Sequence, residues 1–211
     1  MSSALAVAGA DPSVAARAPW IDDRAFFDRS AADLAPDLLG MTLIHETTDG
    51  LVVGRIVEVE AYLGPEDLAA HSAHGMTPRN AAMFGPPGHA YVYLVYGLHH
   101  CLNIVAGPAG KPEAVLLRAA EVTEGAGVAA QRRSGAPSNR LASGPGNLAR
   151  AFGVGRSLDG ADLLSGPLRL APGRSPAAVR RTPRIGVPYA GEWVNRPLRY
   201  LIADDPHCSR P

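Results

Sequence analysis

Two β-rich runs joined by Asp49-Gly50 constrain the fold of this chain more than any other feature. The segment MTLIHETTDGLVVGRIVEVEAY (residues 41–62) places this dipeptide between branched and aromatic stretches, which is the strongest short-range indication of a β-hairpin. A second strand, turn, strand pattern follows in HAYVYLVYGLHHCLNIVAG (residues 89–107), with Tyr96–His99 at its tip, and AVLLRAAEV (residues 114–122) predicts a further strand. The sequence therefore predicts a sheet assembled from hairpins.

Short helices are predicted before and after these hairpins. Residues 21–40 are expected to form one or two helices, for which Asp22 and Asp23 are candidate N-caps. A later helix is predicted over Pro145–Phe152, because proline is favoured at the start of a helix and Gly153 is suited to its end.

Composition sets the fold class. A chain of 211 residues with 46% hydrophobic content is long enough to bury a sizeable core and fits one domain, or at most two. Its 23 glycines and 19 prolines suit short strands and many turns better than a helical bundle. Two late runs, Arg184–Val187 and Leu198–Ile202, are expected to return to the sheet. We therefore expect a mixed α/β domain over residues 20–211 and a disordered tail over residues 1–19.

Charge and cysteine content limit the classes of function. A formal net charge of zero argues against strong non-specific binding to nucleic acid, yet twelve of the arginines and only three acids fall in residues 125–200. Because residues 1–70 hold twelve acids, the basic half is either a binding surface or a partner for the acidic half. Cys101 and Cys208 make neither a disulfide framework nor a zinc pattern, and the N-terminal apolar patch is too short to span a bilayer. A cytoplasmic protein is expected.

The segment RIVEVEAY (residues 55–62) carries the candidate catalytic acids. Strict alternation predicts that Ile56, Glu58, Glu60 and Tyr62 share one face, opposite Val57, Val59 and Ala61. The pattern alone favours a solvated face behind a core face. The following turn leads to His71, however, and a carboxylate, a phenol and an imidazole together are suited to general acid–base chemistry.

Aromatic residues of the second hairpin form another group of candidates. Tyr91 and Tyr93 alternate onto one face, where ordinary packing explains them. Tyr96 at the exposed tip is not expected to pack in a core, and proteins that distort DNA insert such side chains between base steps. Asn103 stands on the returning strand where valine or isoleucine would be usual, so its amide either satisfies a buried backbone group or reads the edge of a base.

Four long strings in this order resemble the alkyladenine (3-methyladenine) DNA glycosylase family of vertebrates and many bacteria. They are GRIVEVEAYLGPEDLAAHS, TPRNAAMFGPPGHAYVYLVYGLHHCLNIV, AVLLRAAEV and RIGVPYAGEWVNRPLRY, and the match runs from about Arg24 to Asp205. Several long strings in the right order are more specific than any short motif. The resemblance implies a single α/β domain on a curved, mainly antiparallel sheet with surrounding helices, similar to the C-terminal domain of formyltransferases.

The resemblance also implies a role for each candidate. Glu60 matches the general base that deprotonates the attacking water, and Arg118 matches the arginine that helps to hold this water and the carboxylate. Asn103 matches the asparagine that contacts the base edge and disfavours guanine, while Tyr96 matches the residue that replaces the extruded nucleotide. The walls that sandwich the flipped base are matched by Tyr62, His71 and Tyr93.

Partners follow from the same resemblance. It implies a monofunctional base-excision repair enzyme that acts as a monomer on double-stranded DNA containing damaged purines, without cofactor or metal, in the bacterial cytoplasm and at the nucleoid when acting. Arg79 is a candidate contact to the DNA backbone. Met76 stands where many relatives carry lysine or arginine, so one backbone contact is expected to be absent.

The chemistry agrees with this reading, although the residues alone leave three alternatives open. Purines methylated at N3 or N7 are cationic and leave readily, so catalysis needs a base for water and an environment that tolerates an oxocarbenium-like sugar. A nucleoside hydrolase would also use a carboxylate to cleave the same bond in free small molecules. A non-catalytic nucleic-acid-binding module would use the same aromatic residues to stack against bases. A helix-hairpin-helix glycosylase is suggested only by SGPGNLARAFGVG and the downstream Asp159.

Overall fold

Eight strands dominate the part of the chain that the computed structural model describes, residues 19–209. The strands are β1 (Thr42–Thr47), β2 (Gly50–Tyr62), β3 (Ala90–Val95), β4 (His99–Ala106), β5 (Glu113–Glu124), β6 (Leu168–Ala171), β7 (Val179–Thr182) and β8 (Arg199–Ile202). The α-helices within the same range are α1 (Ala31–Leu38), α2 (Ala126–Arg132) and α3 (Pro145–Phe152). The expected α/β class and antiparallel sheet are confirmed.

Strand β2 is the centre of the sheet, because it is hydrogen-bonded along both edges. The main strand order is β3-β4-β5-β2-β1-β6, and β8 pairs with both β2 and β7. One edge of β2 pairs with β1 through residues 50–55 and then with β8 through residues 58–60, while the other edge pairs with β5. Glu58 and Glu60 therefore lie in the interior of the sheet, between β5 and β8.

A β-bulge interrupts the alternation predicted for β2. The register against β5 shifts between Ile56 and Glu58. Ile56 packs in the main core with Val59, whereas Val57 packs in a separate cluster with Leu201. The prediction that Ile56 shares a face with the glutamates is wrong, because one extra residue in a strand reverses the faces from that point on.

The main core and the tyrosines of β3 lie on opposite faces of the sheet. Fully buried side chains of α1 and α3, such as Leu34 and Phe152, pack with Val92 of β3 in the main core. Tyr91, the residue before Val92, belongs instead to a smaller cluster against which Tyr62 and Tyr93 pack. Because neighbouring residues of a strand face opposite ways, the tyrosines are left free to line a site.

The two predicted hairpins and the predicted helix α3 are confirmed. Thr48 and Asp49 form the first loop, and Gly50 opens β2 with φ of 128°, a value that favours glycine. Helix α3 has the predicted bounds, and Gly153 ends it in the left-handed conformation with φ of 70°. Asp23 caps a 3-10 turn at Arg24–Phe26.

The late part of the chain departs from the sequence-based prediction. Residues Arg184–Val187 lie outside every strand, and Val179–Thr182 pairs with β8 in their place. Ile185 and Val187 line a cavity, and Val187 also packs in the main core, so apolar residues here are buried without belonging to a strand. The other late prediction, Leu198–Ile202, is confirmed within one residue by β8.

The expected N-terminal tail, residues 1–19, falls outside the described part of the chain except for Pro19. Over residues 19–209, none of the helices has the length and apolar character needed to cross a bilayer.

Candidate active site

A cavity of about 510 Å³ opens on the face of the sheet that carries the tyrosines. Seven of the eight candidate site residues line it, namely Tyr62, His71, Arg79, Tyr93, Tyr96, Asn103 and Arg118. The eighth, Glu60, lies directly behind the lining and is hydrogen-bonded to it. Residues chosen from separate strings of the sequence are therefore brought together at one place.

Glu60 is fully buried at the base of this cavity. Its Oε1 accepts a hydrogen bond from the backbone N–H of Ile185 at 2.8 Å and lies 3.2 Å from Nη1 of Arg118, while its Oε2 accepts from the Tyr62 hydroxyl at 2.9 Å. A carboxylate has about four acceptor positions. Two hydrogen bonds and one ion pair thus hold the orientation of Glu60, and by this count one acceptor position on Oε2 is left for another donor, such as a water molecule.

Glu58 is equally buried and accepts four hydrogen bonds, three of them on one oxygen. Its Oε1 accepts from Nε of Arg118 at 2.8 Å, from Nε of Arg199 at 2.7 Å and from the Ser209 hydroxyl at 2.8 Å, and its Oε2 accepts from the Ser209 N–H at 2.6 Å. Burial alone would raise the pKa of this carboxyl, but the two arginines and the Ser209 N–H outweigh it and hold the pKa of Glu58 below its ordinary value. The expectation of a solvated face is wrong for both glutamates.

Arg118 of β5 joins the two glutamates. Its Nε contacts Glu58 and its Nη1 contacts Glu60, and the side chain is only 7% exposed. Burial disfavours a charged guanidinium, yet the carboxylates of Glu60 and Glu58 raise the pKa of Arg118 above its ordinary value. A permanent positive charge therefore stands between the two carboxylates.

Tyr62 is supported from behind by a buried ion pair that sequence reasoning missed. The Arg184 guanidinium lies 4.6 Å from the centroid of the Tyr62 ring and makes two contacts with the Asp67 carboxylate, at 2.5 and 2.7 Å. Both partners of this pair are fully buried. Burial and then the charge of Glu60 raise the pKa of Tyr62 well above its ordinary value, so its hydroxyl keeps its proton and donates to Glu60.

Another wall of the cavity is a cluster of three rings. The His71 ring packs edge-on to Tyr93 with centroids 4.4 Å apart, and Tyr91 lies 5.3 Å from Tyr93. Nδ1 of His71 shares a hydrogen bond of 2.8 Å with the Tyr91 hydroxyl. Burial, together with the charge of Arg79, lowers the pKa of His71, which favours the neutral imidazole. Tyr91, which packing alone explained in the sequence, therefore also orients His71.

Asn103 and Cys101 of β4 complete this wall. The buried Asn103 amide donates from Nδ2 to the Tyr91 carbonyl at 3.0 Å, so it satisfies a backbone group, and the residue also lines the cavity. Cys101 had no role in the sequence-based hypothesis, yet its thiol lies in the same lining beside the Tyr93 hydroxyl. Burial raises the pKa of Cys101, which favours the thiol over the reactive thiolate.

Tyr96 projects from the tip of the hairpin at the rim of the cavity. Its side chain is 91% exposed, and its φ of 51° places a non-glycine residue in the left-handed region. That conformation costs roughly 1–2 kcal/mol for an ordinary residue. A hydrogen bond from the Leu98 N–H to the Val95 carbonyl closes the turn at 3.0 Å. The backbone thus holds an exposed aromatic ring outward, at some cost in stability.

Arg79 lies at the mouth of the cavity. Its Nη2 donates to the Leu94 carbonyl at 2.8 Å, and its guanidinium lies 5.9 Å from the Tyr93 centroid. Of the two alternatives for the basic half, pairing with the acidic half is confirmed in part, because three of its arginines pair with acids of the first 70 residues. These pairs are Arg132 with Asp49, Arg184 with Asp67 and Arg199 with Glu58.

The fold and the site together define an α/β enzyme that holds a buried, oriented carboxylate behind an aromatic cavity with an exposed aromatic residue at its rim. Comparison with known families agrees with this class, because the family model of methylpurine-DNA glycosylase matches residues 25–206. The chain therefore belongs to the methylpurine-DNA glycosylase family, and it is a DNA N-glycosylase.

Curated relatives support the same assignment. A protein from Streptomyces avermitilis is 49% identical over 192 residues, which cover 88% of this chain and 89% of the relative, and its provisional name is 3-methyladenine DNA glycosylase. A protein of the same provisional name from Methanocella arvoryzae is 47% identical over 189 residues, covering 89% of this chain and 94% of the relative. The family resemblance carried by the four strings is confirmed. Asp159, which suggested a helix-hairpin-helix enzyme, accepts a hydrogen bond from the Val92 N–H instead.

Proposed function

We propose that this chain flips alkylated or deaminated purines out of double-stranded DNA and hydrolyses their N-glycosidic bond, leaving an abasic site. The substrates would be 3-methyladenine and 7-methylguanine, with hypoxanthine and etheno-adenine as further candidates, and the enzyme would act as a monomer without a cofactor. The observation that carries the proposal is the buried Glu60, which two hydrogen bonds and the ion pair with Arg118 orient and which keeps one acceptor position. The names of the relatives support an alkylated adenine as a substrate.

In the proposed mechanism Glu60 removes a proton from the attacking water. Its negative charge also stabilises the positive charge that develops on the sugar as the purine leaves. Arg118 and the Ile185 N–H hold the carboxylate in one orientation, which lowers the entropic cost of placing the water. Since Tyr62 donates to Oε2, it also fixes the direction of the remaining acceptor position.

The cavity walls suit a planar ring, and their charge sets the preference among lesions. A tyrosine face attracts a cationic ring by roughly 0.5–2 kcal/mol. Here Arg184 already lies over one face of Tyr62, and Arg79 lies close to Tyr93, so we expect this attraction to be reduced. We still expect cationic alkylpurines to be the fastest substrates, because they leave the sugar without being protonated. Neutral lesions need an acid that protonates the departing base, and a neutral His71 is a weak acid for this step.

The proposal is tested with a DNA duplex that carries one hypoxanthine or one etheno-adenine at a known position. After incubation with the enzyme, alkali cleaves any abasic site, and the strand is analysed on a denaturing gel. We expect cleavage at the lesion and none in a duplex with an ordinary adenine at that position. A strand that stays intact with these lesions, and also with 7-methylguanine, would show that the proposed activity is wrong.

Tyr96→Gly is expected to lower excision from a duplex by about tenfold and to leave excision from a single strand nearly unchanged. The glycine removes the side chain that would fill the space of the flipped base, and a single strand has no stack to open. Glycine also relieves the left-handed strain at φ of 51°, so the melting temperature should not fall. Equal losses on both substrates would exclude a role for Tyr96 as a wedge.

We expect no lyase activity. A lyase needs an amine that forms a Schiff base with the sugar, and Lys111, the only lysine in the sequence, is paired with Glu113 at 2.9 Å and is absent from the cavity lining. Incubation of the enzyme with lesion DNA and borohydride should therefore give no covalent complex on a denaturing gel. A trapped complex that depends on the lesion would contradict a purely hydrolytic mechanism.

A further inference from the structure

The last described residues, Asp205–Ser209, contact the buried side of the candidate active site, and we name them the C-terminal latch. Ser209 reaches the interior of the sheet: its N–H donates to Oε2 of Glu58 at 2.6 Å and its hydroxyl donates to Oε1 at 2.8 Å. The same hydroxyl accepts from Nη2 of Arg118 at 3.5 Å. Two of the four hydrogen bonds to Glu58 therefore come from this one residue near the end of the chain.

The latch is anchored before it reaches Glu58. Asp205 forms an ion pair with Arg55 of β2 at 2.6 Å. Cys208 is buried, and its carbonyl accepts from the Ser143 hydroxyl at 3.1 Å. Anchors on both sides of Pro206 restrict the backbone, so Ser209 is presented to Glu58 by a segment that is already held.

Ser209 completes the set of contacts that fixes the plane of the Arg118 guanidinium. The group is planar, with nitrogens in a rigid fork. Its Nε contacts Glu58, its Nη1 contacts Glu60 and its Nη2 contacts Ser209. Because each nitrogen makes a contact, the guanidinium cannot rotate without breaking at least one of them. The orientation of Arg118 towards Glu60 therefore depends on Ser209 both directly and through Glu58.

We infer that Ser209 is a positioning residue for the reaction. It holds Glu58 and Arg118 so that Nη1 of Arg118 orients the Glu60 carboxylate, and it touches neither the DNA nor the water itself. The inference rests on the proposed function of Glu60. A residue with this role affects the chemical step while leaving DNA binding unchanged, because the cavity lining around the base does not include Ser209.

The inference is tested with Ser209→Ala, which removes the hydroxyl and keeps the backbone N–H, and with Ser209→Thr, which keeps both. Ser175→Ala, at an exposed serine, is the matched control. Excision of 7-methylguanine from a duplex is measured in single turnover with saturating enzyme, and affinity is measured on a duplex with a stable abasic analogue. We expect Ser209→Ala to lower the rate by about tenfold with the Kd within twofold, and Ser209→Thr to recover most of the rate.

Active-site titration with the abasic analogue separates positioning from folding. If Ser209→Ala loses active sites but each remaining site works at the wild-type rate, the role of Ser209 is only structural and the inference is overturned. A wild-type rate in Ser209→Ala, or a threonine variant as slow as the alanine variant, overturns it as well. Glu60→Gln in the same assay tests the proposed function separately: full activity there removes the proposed mechanism, whatever Ser209 does.

Discussion

Glu60→Gln is expected to lower the single-turnover rate of base excision by about 100-fold or more, which is the contribution typical of a positioned general base. Glutamine has the same shape but binds no proton at neutral pH and carries no negative charge. The variant therefore loses both the group that activates water and the charge that stabilises the developing cation on the sugar. The measurement is the rate of abasic-site formation in a lesion duplex with enzyme in excess.

The fold of Glu60→Gln should survive. The amide oxygen can accept from the Ile185 N–H, and the amide nitrogen can donate to the Tyr62 hydroxyl oxygen in place of the bond that Glu60 accepts. Arg118 keeps its contact with Glu58 at 2.8 Å. Glu66→Gln, at an exposed acid on the turn after β2, makes the same chemical change as a control and should keep the wild-type rate.

Arg184→Met is expected to lower the free energy of unfolding by about 3–5 kcal/mol, as removal of one partner of a buried ion pair commonly does. Asp67 is fully buried, and without Arg184 it keeps only donors from the backbone, the N–H groups of Leu63 at 3.1 Å and Ala69 at 3.0 Å. The neighbouring Ile185 N–H, which holds Glu60, would lose its fixed position, so excision should slow as well.

Urea denaturation followed by tryptophan fluorescence measures this loss of stability. Arg174→Met, at an exposed arginine, should change the free energy of unfolding by no more than about 0.5 kcal/mol. The double variant Asp67→Asn with Arg184→Met should be more stable than Arg184→Met alone, because the uncompensated charge is gone. A loss below about 1 kcal/mol in Arg184→Met would contradict the account of this pair as a buried support for Tyr62.

Local sequence patterns predicted the hairpins and helix α3 because their determinants are local. Asp49-Gly50 indicates a turn at the right place, although the loop itself is Thr48-Asp49, and Pro145 and Gly153 mark both ends of α3. Alternation along β2 predicted the wrong faces around Ile56, since a bulge depends on how β5 pairs with this strand rather than on the strand alone. Arg184–Val187 resembled a strand because it carries apolar residues, but these are buried in the cavity lining and the core without pairing in the sheet.

The candidate site, like the fold, was only partly predictable from the sequence. The family resemblance selected residues that the fold brings around one cavity, although composition and periodicity alone made Glu60 an exposed acid. The supporting contacts were not predictable, because Arg184 pairs with Asp67 across 117 positions and Ser209 reaches Glu58 across 151 positions. Contacts at such separations leave no periodic pattern in the sequence, and only the folded sheet shows them.

In the proposed mechanism Glu60 activates water only after the damaged base has left the helix, and one stopped-flow measurement tests this order most directly. Etheno-adenine is fluorescent, and its signal changes when it leaves the base stack. With a duplex that contains one etheno-adenine, wild type and Glu60→Gln should give the same early fluorescence change, and only wild type should go on to release the base. Base release by Glu60→Gln at the wild-type rate would contradict the account.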